Sequence, residues 1–168
     1  RPMPRKPAPA DYNGDGRSDV LLRGSTGSNL VWYSADSTTR QGLATFPMEN
    51  KLVGQGDFNG DGKDDLVWRN MITGANVLWR SGNATTPTLL ATRPDTSWVV
   101  AGVGDFNGDG QADLFWHNTI TGQNEYWRSG SSGAVRAVTT LVDTQWVLAG
   151  IGDFRRAIRE PEHAGIRF

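Results

Sequence analysis

Up to residue 153 the apolar positions fall in short runs, and no long 3.6-residue period is sustained. The runs are rich in Val, Leu, Trp and Phe, and Gly, Asn, Asp and Thr-Gly steps bound them. That pattern predicts β-strands joined by tight turns. In the best-defined stretch the expected strands are Trp98–Phe106, Asp113–Asn118, Asn124–Ser129 and Ala134–Val142. The Thr121-Gly122 step suits a hairpin turn between the second and third of these.

The pattern then repeats. Asp11-Tyr12-Asn13-Gly14-Asp15-Gly16 returns as Asp57-Phe58-Asn59-Gly60-Asp61-Gly62 and as Asp105-Phe106-Asn107-Gly108-Asp109-Gly110, and a further copy opens at Asp153-Phe154 and stops. Longer matches keep the register. Leu66-Val67-Trp68 aligns with Leu114-Phe115-Trp116, Trp79-Arg80-Ser81-Gly82 with Trp127-Arg128-Ser129-Gly130, and Trp98-Val99-Val100-Ala101-Gly102 with Trp146-Val147-Leu148-Ala149-Gly150. Four antiparallel strands in a repeat of about 40–50 residues is the signature of a propeller blade, with an all-β solenoid as the alternative. The expected fold is therefore all-β: a β-propeller type with blades of four antiparallel strands. Its repeats run about 11–56, 57–104 and 105–152, with one spare strand at Trp146–Phe154. Residues 1–10, rich in Pro, read as a linker or arm, and residues 155–168 as an atypical tail.

The acidic residues sharpen this picture. Of 18 Asp and Glu, only four are Glu, and nine Asp recur at fixed places in three loops. In Asp57-x-Asn59-x-Asp61-Gly62-Lys63-x-Asp65, side-chain oxygens stand at positions 1, 3, 5 and 9. Alternate spacing points every second side chain at one hard cation, and Gly62 permits the sharp turn. All-oxygen ligation without Cys or His selects Ca²⁺ over zinc or copper, and Mg²⁺ suits it less well. The candidate ligands are Asp57, Asn59, Asp61, the Lys63 carbonyl and Asp65. In the other copies they are Asp11, Asn13, Asp15, the Arg17 carbonyl and Asp19, and Asp105, Asn107, Asp109, the Gln111 carbonyl and Asp113. That is about three Ca²⁺ per chain. Position 12 is Leu22, Trp68 or Trp116, so the loop is not an EF-hand, which needs Glu there.

DFNGDGKDDLVW and DFNGDGQADLFW resemble the FG-GAP/VCBS repeat family over roughly residues 11–154. The resemblance implies a β-propeller with one Ca²⁺ per blade loop, an extracellular or cell-surface setting, and a lectin-like or adhesive role as in integrin α-chain heads and propeller lectins. It also implies six to eight blades, where this chain has three. A head-to-tail dimer would make six; a section of a longer propeller is the other reading.

Composition excludes several functions. A net charge of −1 argues against nucleic-acid binding driven by bulk charge, and the absence of Cys removes disulfides and thiolate chemistry. No run approaches the ~18 apolar residues of a membrane-spanning helix, and the first ten residues show no apolar signal-peptide region. The aromatic residues are expected to be mainly core between blades. The alternative is a sugar-stacking platform formed by Trp68, Arg69, Asn70, Trp116, His117 and Asn118. Catalysis is not expected: the two His (His117 and His163) have no Ser-His-Asp setting, Glu125 has no evident acid–base partner, and no nucleophile elbow occurs. The partners expected are glycans or another protein. A carbohydrate-binding or adhesive module and a non-catalytic spacer of a larger secreted protein both stay open.

Overall fold

The computed structural model describes residues 8–153. The tail 155–168, Phe154, His163 and most of the Pro-rich arm lie outside those residues. The described chain holds three antiparallel sheets. The first contains β1 (Val20–Arg23), β2 (Asn29–Trp32) and β3 (Arg40–Leu43), in that order. The second contains β4 (Asn50–Gly56), β5 (Asp65–Asn70), β6 (Asn76–Arg80) and β7 (Asn83–Leu90). The third contains β8 (Trp98–Gly104), β9 (Asp113–Asn118), β10 (Asn124–Trp127) and β11 (Val135–Val138). The sequence pattern matched β9 residue for residue. Three expected strands are shorter than predicted, since β8 stops at Gly104 rather than Phe106, β10 ends in a turn at Arg128–Gly130 and β11 covers only part of Ala134–Val142.

Period-2 alternation explains why these strands are apolar on both faces. Leu66 and Trp68 of β5 point to the first sheet, where they pack with Tyr12, Val31 and Trp79. Val67, between them, points to the third sheet and joins Phe58, Leu78, Leu114, Trp116 and Trp127. The second sheet is thus sandwiched, and Leu66, Val67 and Trp68 are all fully buried. Close approach at the inner strands needs glycine. A β-carbon on Gly54 would come within 2.8 Å of Val103 Cγ2, and one on Gly56 within 2.9 Å of Ala112 Cβ.

The spare strand did not form. Residues 146–153 carry no β pairing, although they repeat the sequence of β8. Their packing still follows the repeat: a β-carbon on Gly104 would meet Ile151 Cγ2 at 2.9 Å, as one on Gly56 meets Val103 Cγ1 at 3.1 Å. The segment sits against the third sheet where an inner strand belongs, but no second strand lies beside it among the described residues. A strand without a ladder partner gains no backbone hydrogen bonds and stays irregular.

Candidate functional site

The three Asp-rich loops link β4 to β5, link β8 to β9, and lead into β1. Their geometry is nearly identical. In the second loop, Asp57 accepts from Gly60 N (2.6 Å) and Asp61 N (3.1 Å) through Oδ1, and from Gly62 N (2.8 Å) through Oδ2. Asn59 Oδ1 accepts from Asp61 N at 3.0 Å, and Asp61 Oδ1 from Lys63 N at 2.9 Å. The first and third loops repeat these bonds around Asp11 and Asp105 to within about 0.1 Å. Gly62 takes φ +84, with Gly16 at +84 and Gly110 at +85, which is the left-handed turn the pattern required.

The ninth residue does something the sequence did not announce. Asp65 is fully buried, and its two oxygens accept from Phe58 N (3.1 Å) and Ser81 N (2.8 Å). Asp19 does the same with Tyr12 and Ser34, and Asp113 with Phe106 and Ser129. Each ninth Asp therefore ties its loop to the turn that follows β2, β6 or β10, the second strand after that loop. The serines sit at φ near +50, an uncommon conformation that aims their N–H groups at the carboxylate. The recurring Trp-Arg-Ser-Gly was the signal in the sequence, and its meaning is this tie.

The loops also touch one another. Asp64 N donates to Asp11 O at 2.7 Å, and Ala112 N donates to Asp57 O at 2.8 Å. Position 8 of one loop thus holds position 1 of the loop before it. Charge accumulates where they meet. Burial pushes the Asp65 carboxyl up to about 6 against its two N–H donors, and the Asp61 and Asp57 charges add to the rise. Burial also raises Asp64, with Asp57 and Asp11 beside it. Asp109 lies on the exposed rim, and the Gln111 N–H and Asn107 amide hold it below the usual carboxylate range.

Among the described residues, no three carboxylate or imidazole side chains converge as a finished metal cage. The donor set is nonetheless all oxygen, and Asp57 Oδ2 and Asp61 Oδ1, which each accept one N–H, keep a second lone pair. Such a set fits a hard divalent cation.

The proposed sugar platform is corrected by burial. Trp68 and Trp116 have no exposed surface, and Arg69 and Asn118 are buried. Arg69 donates to Gly74 O (3.0 Å), Asn76 Oδ1 (3.2 Å) and Arg93 O (2.9 Å), and its guanidinium lies 5.1 Å from the Trp116 ring centroid. Asn70 and Asn118 close the hairpin turns by accepting from Ile72 N and Thr73 N, and from Ile120 N and Thr121 N. His117 Nδ1 lies 2.7 Å from Asn124 Oδ1, as Arg69 bonds Asn76 and Arg23 bonds Asn29. Trp68, Trp116 and Arg69 thus bind one sheet to the next, Asn70, Asn118 and His117 serve their own sheets and turns, and no pyranose can stack on the two buried Trp rings. A polar groove of about 550 Å³ does open between the first two sheets, lined by Tyr12, Tyr33, Gln41, Lys63, Asn83 and Thr85.

Compared with known families, residues 57–116 match the FG-GAP-like repeat. The match begins at the first Asp of the second loop and ends in β9. No curated protein matches the chain significantly. Among the described residues, no helix is long and apolar enough to cross a membrane.

Proposed function

We propose that the three repeats, of which the second and the start of the third match the FG-GAP-like repeat, form a non-catalytic, calcium-binding β-propeller module that works outside the cell as a structural unit of a larger assembly. One observation carries this reading: three loops keep the same oxygen donors and the same hydrogen bonds while the residues around them vary. In each, the Asp at 1 and 5, the Asn at 3, the carbonyl at 7 and the buried Asp at 9 would hold Ca²⁺. The ion supplies charge neutralisation among clustered carboxylates, and its effect is on stability. Extracellular sites of this kind bind with Kd on the order of 10⁻⁴–10⁻³ M. At ten times Kd each site adds about 1.4 kcal/mol by mass action.

The test is calorimetric. Titration should find three Ca²⁺ per chain, and the melting temperature should rise in millimolar calcium and fall back in EDTA. Asp61→Asn should reduce the count to two. A melting temperature indifferent to both additions, with no heat of binding, overturns the reading.

The groove beside Tyr33 supports a second reading, a lectin-like or adhesive role. Its mixed aromatic and polar lining suits a sugar or a peptide turn. A glycan array in calcium should then give hits that Tyr33→Ala removes. A blank array from folded protein leaves the structural role alone.

A further inference from the structure

The two outer faces of the stack are unfinished in complementary ways. β1 is the edge strand of the first sheet, and among the described residues no strand pairs with its outer edge. In the other two sheets that place is filled by β4 and β8. β1 is only half-buried throughout, whereas the matching Leu66–Arg69 of β5 are buried. At the other end, residues 146–152 have the sequence of an inner strand and the packing of one, but no ladder. Trp146 is 66% exposed and Val147 78%.

The sheet faces show the same relation. In the seam between the second and third sheets, Phe58, Val67 and Leu78 meet Leu114, Trp116 and Trp127. The equivalent residues on the open face of the third sheet are Phe106, Phe115 and Tyr126. Those on the open face of the first are Val20, Leu22 and Trp32. None of these six belongs to either core cluster. Their sizes are exchanged in compensation. Where the seam sets Val67 and Leu78 against two Trp, the open faces offer two large rings, Phe115 and Tyr126, against Leu22 and one Trp. Phe106 is 36% exposed while its counterpart Phe58 is 2% exposed, and its ring already lies 5.5 Å from Phe115 and 5.3 Å from Tyr126.

We propose that the first sheet of a second copy of this chain docks on the open face of the third sheet, and that residues 146–152 then pair antiparallel with β1 of that copy. The register follows from β8 on β9, where Val100 faces Trp116, Gly102 faces Phe115, Val103 faces Leu114 and Gly104 faces Asp113. Transposed, Leu148 faces Leu22, Gly150 faces Leu21, Ile151 faces Val20 and Gly152 faces Asp19. The described residues cannot make this pairing among themselves, because their three stacked sheets are fewer than the four to eight that close a ring. Two chains related by a twofold axis make six and leave no open edge.

The chain has no Cys, so crosslinking is clean. Leu22→Cys and Leu148→Cys proteins, prepared separately and mixed under oxidation, should form a disulfide heterodimer. Val20→Cys with Val147→Cys, which are out of register, should not. The unmodified chain should sediment at twice its mass of 18.3 kDa. Phe106→Asp, on an exposed side chain, should return it to one mass with an unchanged circular dichroism spectrum. A single-chain mass at micromolar concentration overturns the proposal. So does a mass above the dimer, equal crosslinking of the out-of-register pair, or a disulfide that forms only inside a chain carrying both cysteines.

Discussion

The seam between the first and second sheets and the seam between the second and third share one backbone plan and fill one slot with opposite chemistry. In the first, Phe46 lies on Trp68 and Trp79, with ring centroids 5.6 and 4.9 Å away. In the second, the guanidinium of Arg93 takes its place, 5.0 Å from the Trp116 centroid and 5.1 Å from that of Trp127. The slots correspond, since Phe46 N donates to Gly27 O and Arg93 N to Gly74 O, both at 2.9 Å. The neighbouring strand residue changes with them. Val77 stands in one seam, and in the other Glu125 pairs with Arg93 and accepts from Trp127 Nε1. The repeat thus specifies a place over a pair of Trp rings. An aromatic ring or a paired cation can fill it, provided the facing residue changes too.

The Trp pairs should matter equally in both seams. Trp68→Ala and Trp116→Ala should each cost about 3–5 kcal/mol, read from urea midpoints at constant slope. A much smaller loss for Trp116 would mean that the ion pair carries its seam. The next largest effect should separate the seams. Glu125→Ala leaves Arg93 uncompensated in a mostly buried site and should cost about 2–3 kcal/mol, below the range for fully buried pairs because both side chains keep some exposure. Val77→Ala loses only methyl groups and should cost about 1 kcal/mol. Equal losses would remove the distinction.

Transplanting the first slot into the second sharpens it further. Arg93→Phe with Glu125→Val should be stabilising by about 1–2 kcal/mol, while Arg93→Phe alone should destabilise. A double variant weaker than the single one would show that the slots are not equivalent. The smallest effect concerns the first sheet. Ala35 holds φ +58 where the other repeats have Gly82 and Gly130. Ala35→Gly should relieve left-handed strain and raise stability by about 0.5–1 kcal/mol. A loss would show that the Ala35 methyl is needed for packing.

Much of this was legible in the sequence because repetition doubles as measurement. The Asp-x-Asn-x-Asp-Gly loops, the limits of β9 and the placing of Trp between sheets all follow from residue type and spacing. Other features lie between residues that share no local pattern. Asp65 and Ser81 meet only after β5 and β6 pair, and Phe46 corresponds to Arg93 only through the turn carbonyls they bind. In the sequence Arg69 reads as a member of a sugar-binding platform because Arg is usually solvated. Its four acceptors, in two connecting segments and two strands, are invisible until the chain folds. The failure of Trp146–Asp153 to form a strand has a similar source, because the motif encodes the strand and a neighbour supplies its ladder.

The rim contact from position 8 of each loop to position 1 of the loop before it gives the molecule a mechanical grain. The contact is the same at both junctions and always points the same way along the chain. Under tension applied between the ends, such a stack has no single clamp to break. Each sheet is held by its neighbours alone, so extension should proceed as a staircase of similar steps, one sheet per step.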